Sequence, residues 1–220
     1  MWGGASALRL GFARPGALRI PGRESLQGSG KKREVTGMRV TGGEFRSRIL
    51  QSMPGMEVRP TPDKVRQALF NILGAEIEGA VFVDAYAGTG AVGIEALSRG
   101  ARHAIFIEKD RAAVNLIKSN LAGLGIESRA RVMQGSAALL IGTLDADIVF
   151  IDPPYPKERE YQAVMDALEA ALEAKPPGLV IVQHATRFAL AEEYGLLRRS
   201  RVAKYGDNSL SFYRKSITAA

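Results

Sequence analysis

Two short segments restrict the fold and the functional site of this chain more than any other feature, because each follows an apolar, strand-like run. Val83–Gly93 reads VDAYAGTGAVG and Ile148–Tyr155 reads IVFIDPPY. Glycines after a strand let the backbone turn tightly and approach a nucleotide closely. Parallel strands of one sheet end at the same edge, where the carboxylate, prolines and aromatic ring of the second segment would also lie. The pair predicts a nucleotide-like cofactor beside a planar, amine-bearing substrate.

Short apolar runs alternate with helical patterns over most of the chain. This alternation predicts an α/β fold with a doubly wound, mostly parallel sheet buried on both faces. The predicted strands are Arg39–Thr41, Ser47–Leu50, Val81–Asp84, Ala104–Glu108, Ala130–Gln134, Asp147–Asp152 and Leu179–Gln183, followed by a terminal hairpin of Leu196–Lys204 and Ser209–Lys215. The predicted helices are Arg59–Leu73, Gly90–Ser98, Arg111–Leu121, Ala137–Ile141 and Tyr161–Ala174.

We predict three parts in the 220-residue chain. Residues 1–37 are rich in Gly, Ser, Pro and Arg and have no apolar period, which indicates a disordered basic leader. This leader is either a dispensable tail before a start at Met38 or an organellar transit peptide. Residues 38–75 form a small extension of one hairpin and one helix, and residues 76–220 form the main domain.

Charge is distributed unevenly along the chain, whose formal net charge is +7. Residues 1–37 hold seven basic and two acidic side chains, a net charge of +5, which leaves +2 for all later residues. Local clusters therefore indicate nucleic-acid contacts better than the overall charge does. A cluster between Arg39 and Arg66 predicts such contacts. A second cluster from Arg198 to Lys204 is explained equally well as a solvated face.

Composition excludes several classes of protein. The chain has no cysteine, which excludes disulfides, thiol nucleophiles and cysteine-ligated metals. Its two histidines, His103 and His184, disfavour a metal site or a histidine-based triad. No apolar run reaches the roughly eighteen residues that a membrane span needs. We therefore predict a cytoplasmic protein without a bound metal.

The glycine loop fits two kinds of cofactor. Gly88, Gly90 and Gly93 match G-x-G-x-x-G, and Glu108 follows at a strand end, which is also typical of a dinucleotide site. Asp84, four residues before Gly88, favours another cofactor, because a carboxylate there would repel a pyrophosphate but tolerate a cationic sulfonium. Asp-x-x-x-Gly-x-Gly resembles the loop of the S-adenosylmethionine-dependent methyltransferases. The alternative for Glu108 is a surface acid that caps the following helix.

Asp152-Pro153-Pro154-Tyr155 resembles the (Asp/Asn)-Pro-Pro-(Tyr/Phe) motif of methyltransferases that act on exocyclic amino groups. Such an amine is a poor nucleophile, because its lone pair is delocalised into the ring. Asp152 and the carbonyl of Pro153 can accept its hydrogens, and Tyr155 can stack on the base. The two prolines fix φ and keep the loop rigid. Asp152, Pro153 and Tyr155 are therefore the predicted catalytic residues.

The segments MRVTGGEFRSRIL, RPTPDKVRQALFNIL, DAYAGTGAVGIEALSRGA, FIEKD and FIDPPY occur in the order found in the RsmD-like family, which methylates a guanine N2 of 16S ribosomal RNA. This resemblance implies a class I methyltransferase fold with a seven-stranded sheet, its last strand antiparallel, and an N-terminal hairpin that helps to hold RNA. It implies S-adenosylmethionine contacts at Asp84, Tyr86, Gly88, Gly90, Glu108, Lys109, Ser136 and Ala137. It implies RNA contacts at Arg39, Arg46, Arg48, Arg59 and Arg66, on a monomer whose substrate is naked or partly assembled small-subunit RNA.

Three features depart from the family pattern. Ser136 stands where an acid or Asn is common near the adenine, and Gln67 stands where Glu is common after Arg66. The 37-residue leader is also atypical. These departures weaken the assignment of individual cofactor contacts but leave the predicted amine site intact.

Other functions remain open from the residues alone. The first is methylation of another amine, such as adenine N6 in DNA or in another RNA; Asp152 disfavours a protein glutamine amide, which usually goes with Asn at that position. A nicotinamide-dependent oxidoreductase would leave Asp84 and the Pro-Pro-Tyr loop unexplained. A non-catalytic RNA-binding or assembly protein would not need both loops intact.

Overall fold

The computed structural model describes residues 38–52, 63–154, 158–171 and 177–216. Its strands are β1 Met38–Arg39, β2 Ile49–Leu50, β3 Val81–Asp84, β4 His103–Glu108, β5 Ala130–Gln134, β6 Ile148–Ile151, β7 Leu179–Ala185, β8 Glu193–Tyr194, β9 Leu197–Tyr205 and β10 Asn208–Lys215. Its helices are α1 Asp63–Leu73, α2 Ala91–Ser98, α3 Arg111–Leu124, α4 Ala137–Leu140 and α5 Glu158–Ala171. The predicted leader and the predicted sites Arg59 and Tyr155 lie outside these residues.

The main sheet has eight strands in the order β5-β4-β3-β6-β7-β10-β9-β8. Strands β3 to β7 are parallel, and β10 lies antiparallel between β7 and β9. After β3 the chain continues outward through β4 and β5, and it then returns to the other side of β3 with β6. The strand order therefore reverses between β3 and β6, and this switch point is where open α/β sheets bind ligands.

The mostly parallel α/β fold and the antiparallel last strand are confirmed, but the predicted count of seven strands is wrong. The eighth strand is β8, which pairs antiparallel with the start of β9 through Glu193↔Arg198 and Tyr194↔Leu197. It is held by Tyr194, whose ring meets that of Tyr213 edge-on with centroids 5.6 Å apart. A strand of two residues carries no alternation for a sequence pattern to reveal.

Most predicted elements are present with shifted ends. β3 and β5 have the predicted bounds, whereas β1 and β2 are shorter and β4 and β7 are longer. Helix α3 begins at Arg111 as predicted, because Asp110 caps it by accepting a hydrogen bond from the N–H of Ala113. It ends three residues later than predicted, at Leu124, since the left-handed residue that stops it is Gly125, with φ of +70°.

Two apolar layers cover the two faces of the sheet. One layer joins β1, β2 and helices α1 to α3 to one face, with Phe70, Phe82, Phe106 and Phe150 among its buried side chains. The other joins α4 and α5 to the opposite face. The predicted extension 38–75 thus packs into the same core as the sheet, although its division from the main domain stays a prediction. No helix in the described ranges is long and apolar enough to cross a bilayer.

A buried carboxylate anchors the N-terminal hairpin to the sheet domain. Glu95 of α2 is fully buried. It accepts hydrogen bonds from the backbone N–H and the hydroxyl of Thr41, both 2.7 Å long. The Nε of Arg99 lies 2.8 Å from Oε1 of Glu95, and the Nε of Arg66 lies 3.5 Å from Oε2. One side chain therefore joins α2 to α1 and to the loop that follows β1.

Replacing Glu95 by Gln should lower the free energy of unfolding by about 3 kcal/mol or more, because Arg66 then keeps only the exposed Asp63 as a counter-charge and loses the buried one. Urea denaturation of the two proteins measures this difference. The matched control is Glu76→Gln, which removes an ion pair at the surface between Glu76, 51% exposed, and Arg214, 46% exposed. This change should cost less than about 1 kcal/mol. Equal losses in the two variants would contradict the anchoring role of Glu95.

Candidate active site

The structure explains why glycine stands at each of the three positions in and after the loop that follows β3. Gly88 and Gly90 have φ of +52° and +80°, a left-handed conformation that favours glycine, and Gly90 is the N-cap of α2. Gly93 lies where α2 crosses β4, and a Cβ atom there would overlap the ring of Phe106. The first two glycines shape the turn, and the third lets helix and strand approach closely, as in nucleotide-binding loops.

Asp84 ends β3 directly beneath this loop. It is 2% exposed, and its Oδ2 accepts a hydrogen bond of 3.0 Å from the N–H of Gly93 in the first turn of α2. Burial raises the pKa of Asp84 to about 7, and the nearby carboxylates of Asp152 and Glu108 add to this effect. The site therefore brings three carboxyl groups close together, an arrangement that favours a cationic ligand.

Glu108 connects the end of β4 to the glycine loop. Its Oε2 accepts a hydrogen bond from the N–H of Gly88, and its Oε1 accepts one from the N–H of Asp110, each 2.8 Å long. Asp110 itself caps helix α3, so the alternative in which Glu108 caps that helix is wrong. Each carboxylate oxygen can accept a second hydrogen bond, which leaves capacity for two hydroxyl donors.

Residues that the resemblance places around an adenine lie near Glu108. The N–H of Gly135 donates to the carbonyl of Glu108 at 3.0 Å, which brings the turn after β5 against the end of β4. Ser136 and Ala137 follow this turn; Ala137 is buried, and Ser136 is the N-cap of α4 without a side-chain capping bond. Lys109 is exposed.

The second loop begins where β6 ends. Asp152 is half-buried, Pro153 is buried and Pro154 is exposed, while Tyr155 lies beyond the described part of this loop. Asp152 is close enough to Asp84 to raise the pKa of that carboxyl. The structure thus brings the first carboxylate of each sequence motif together at the switch point.

A hydrogen bond links the glycine loop to the first turn of helix α5. The hydroxyl of Tyr86, in the glycine loop, donates to Oε2 of Glu160 at 3.1 Å. Burial, with the neighbouring carboxylate of Glu160, raises the pKa of Tyr86, so its hydroxyl stays protonated as the donor. Glu160 lies in the first turn of α5, just after the Pro-Pro-Tyr loop. The sequence analysis did not identify Glu160, because its only indication in the sequence is an acidic residue at the start of a helix, which is a common feature.

The predicted RNA-contacting arginines separate into two groups. Arg39, Arg46 and Arg48 are exposed on the hairpin, and within the described residues none of them forms an ion pair. Arg66 is only 1% exposed, bonded to the carbonyl of Arg39 and paired with Asp63 and Glu95. The prediction that Arg66 contacts an RNA phosphate is therefore wrong, because its guanidinium is buried.

Two of the four basic residues in the second cluster form ion pairs with neighbouring acids. Arg198 pairs with Glu193 at 3.3 Å and Arg199 pairs with Glu192 at 3.2 Å. These ion pairs favour the solvated-face interpretation for this cluster.

The fold is the Rossmann-like fold of the class I methyltransferases. A family model described as "Conserved hypothetical protein 95" matches residues 38–214. The chain therefore belongs to this family, the RsmD-like methyltransferases.

Individual relatives agree with this assignment. YlbH of Bacillus subtilis, named as a candidate rRNA methyltransferase, is 33% identical over 183 residues, which are 81% of this chain and 99% of that protein. Ribosomal RNA small subunit methyltransferase D of Escherichia coli is 42% identical over 120 residues, 54% of this chain and 60% of that protein. The solved structure of yhhF from Escherichia coli, described as a candidate methyltransferase, is 32% identical with a TM-score of 0.69 and covers 82% of this chain and 98% of its own.

The raised pKa of Asp84 predicts a stability difference that depends on pH. The folded protein binds the proton of this carboxyl more tightly than the unfolded chain does, in which the pKa is 3.8. The folded state therefore loses stability as the pH rises from about 4 to about 7. Asp84→Asn keeps the acceptor for the N–H of Gly93 but cannot ionise. The free energy of unfolding of the wild type, relative to this variant, should fall by roughly 2–4 kcal/mol across that window. Urea denaturation of both proteins from pH 4.5 to 8 measures this difference in the free energy of unfolding. If the difference does not change with pH, Asp84 does not have the raised pKa that its burial predicts.

Proposed function

We propose that the protein transfers a methyl group from S-adenosylmethionine to the exocyclic N2 of a guanine in small-subunit ribosomal RNA. The observation that carries the proposal is the juxtaposition of Asp84 and Asp152 at the switch point, below a glycine loop and beside the Asp-Pro-Pro turn. The name of the Escherichia coli relative, a small-subunit rRNA methyltransferase, supports rRNA as the substrate.

The charges of the site suit this cofactor. When bound, S-adenosylmethionine supplies an electrophilic methyl group on a cationic sulfonium. The buried carboxyl of Asp84 and the carboxylates of Asp152 and Glu108 favour its two positive groups, the sulfonium and the ammonium. Glu108 has acceptor capacity for the ribose hydroxyls, and Gly88 and Gly90 allow close approach of the backbone. The same carboxylates would repel a pyrophosphate, which argues against a nicotinamide dinucleotide.

The residues after β6 handle the amine. Asp152 would accept one N–H of the exocyclic amine, and the carbonyl of Pro153 would accept the other. These two hydrogen bonds draw the nitrogen toward a tetrahedral geometry and direct its lone pair at the methyl group. Catalysis then depends on positioning and electrostatics, and Asp152 is placed to hold the positive charge that develops on the nitrogen.

The hairpin would supply RNA contacts outside this site. Arg39, Arg46 and Arg48 present positive charge on an extension that Glu95 fixes to α2, so their positions relative to the sheet are set. Phosphate contacts of this kind position a nucleic acid without reading its sequence. The proposal extends to a monomer in the cytoplasm that acts on naked RNA or on a partly assembled subunit.

Transfer of labelled methyl groups tests the proposal directly. The substrates are naked small-subunit RNA, assembled small subunits and DNA, and the modified nucleosides are identified after digestion. N2-methylguanine in a ribosomal sample is the expected product. N6-methyladenine in DNA would contradict the substrate, and no transfer despite cofactor binding would contradict the proposed acceptor.

Replacing Asp152 by Ala should lower the turnover number by at least about 100-fold and leave the Kd for S-adenosylhomocysteine within about 3-fold, because the carboxylate acts on the amine. Single-turnover transfer and calorimetry measure the two effects. Asp166→Ala removes an exposed carboxylate from α5 and is the control, with unchanged turnover. Near wild-type turnover in Asp152→Ala would sink the catalytic role.

Replacing Arg46 and Arg48 together by Gln should weaken RNA binding and reduce the slope of log Kd against log salt by about 1 per arginine, since each phosphate contact releases counterions. The control is Arg102→Gln with Arg131→Gln, which removes the same charge from exposed residues at the amino ends of β4 and β5. If both double variants give the same salt dependence, the hairpin is not an RNA-binding surface.

A further inference from the structure

A buried amide lies next to the carboxylate that would handle the amine. Strands β6 and β7 are parallel, with Ile151 opposite Val182, and the same register continued by one residue brings Asp152 opposite Gln183. Phe150 and Ile181, two residues earlier on each strand, both belong to the apolar layer beside α1 to α3. Since side chains alternate along a strand, Asp152 and Gln183 face this same side.

The side-chain oxygen of Gln183 is a buried acceptor that has no hydrogen-bond donor among the described residues. The side chain is 3% exposed, and no donor in the described part of the chain reaches its Oε1. Buried polar atoms are nearly always hydrogen-bonded, so this oxygen has a reason to be kept without an internal partner. The backbone of Gln183 is held on both sides, because the hydroxyl of Tyr161 donates to its carbonyl at 3.2 Å and Leu210 of β10 pairs with it.

The strand order puts Gln183 on the substrate side of the site. The residues suited to the cofactor lie at the ends of β3, β4 and β5, on one side of β6. Gln183 lies near the carboxyl end of β7, two residues before its last residue, and thus on the other side of β6. A ligand atom that meets Gln183 therefore belongs to the group that receives the methyl.

We propose that Oε1 of Gln183 accepts the N1–H of the target guanine and selects guanine over adenine, an inference that rests on the function proposed above. The Watson–Crick edge of guanine carries three N–H groups, two on N2 and one on N1. Asp152 and the carbonyl of Pro153 account for the two on N2. The third needs an acceptor beside Asp152, and Gln183 supplies one unused acceptor there.

Adenine fails at the same position. Its N1 carries a lone pair instead of a hydrogen, so an oxygen held opposite it meets a second acceptor and stays without a donor. A site built to hydrogen-bond an N–H rejects analogues that lack it far more strongly than a merely apolar pocket does. Gln183 is thus a specificity-determining residue that contacts the base.

The test compares guanine with 2-aminopurine, which keeps the exocyclic amine but has no N1–H. Small subunits are reconstituted with RNA that carries either base at the position methylated by the wild type. The wild type should favour guanine by about 10- to 100-fold in kcat/KM. Gln183→Met, of similar size without an acceptor, should lose about that factor on guanine and bring the preference to within about 3-fold of unity. Gln183→Glu keeps acceptor oxygens and should keep a preference above about 10-fold.

Binding of S-adenosylhomocysteine checks that each variant is folded. An unchanged preference in Gln183→Met, with N2-methylguanine as product, would overturn the role of Gln183 and leave the proposed function standing. If kcat/KM falls equally on guanine and on 2-aminopurine in both variants, the role of Gln183 is also overturned, because the residue would then serve only the packing of β7. A wild-type product other than N2-methylguanine would reject the proposed function itself, whatever the variants do.

Discussion

Helix α2 is buried on every side, and the arrangement of the functional edge depends on that burial. All eight of its residues are buried, Glu95 and Ser98 included. Asp84 accepts a hydrogen bond from the first turn of α2, and the absence of a side chain at Gly93 allows the helix to lie against Phe106. On the other side of the helix, Glu95 holds the hairpin and α1. A helix in this position cannot shift without breaking the glycine loop or releasing the extension.

The burial of α2 also explains why polar residues on it are well bonded. Ser98 donates to the carbonyl of Gly42 at 2.6 Å and accepts from the N–H of Phe45 at 2.9 Å. Asn120 of the neighbouring α3 does the same for Gln51, and its amide also reaches the carbonyl of Thr89 in the glycine loop. The hairpin is therefore held to α2 and α3 by directional bonds in addition to its apolar contacts, and these bonds fix orientation as well as proximity.

The sequence alone predicted the mostly parallel α/β sheet, apart from β8, and it predicted that the glycine loop and the Asp-Pro-Pro turn follow strands of one sheet. Strands β3 and β5 and the start of α3 could be predicted to the residue, because apolar runs and the capping Asp110 are local signals. What could not be predicted depends on contacts between distant segments. Arg66 reads as one more basic residue in a cluster, and only the fold reveals that Glu95, 29 positions later in the sequence, lies against it.

The same limit applies to β8 and to Gln183. A two-residue edge strand exists through its pairing with β9 and the contact between Tyr194 and Tyr213, and neither leaves a periodic trace. Gln183 is one of two adjacent polar residues near the end of an otherwise apolar strand. That no donor among the described residues reaches its Oε1 is a property of the packed protein, so no pattern of residue types could have indicated it.

The bond between Tyr86 and Glu160 joins two segments that are 74 residues apart in the chain. Its consequence is a direct link between the glycine loop and the first turn of α5. On the proposed function, a ligand that ordered the glycine loop would also restrain the start of α5, so the second ligand would have less conformational entropy to remove. Such coupling would be reciprocal: each ligand would raise the affinity for the other by the same factor, whichever arrived first.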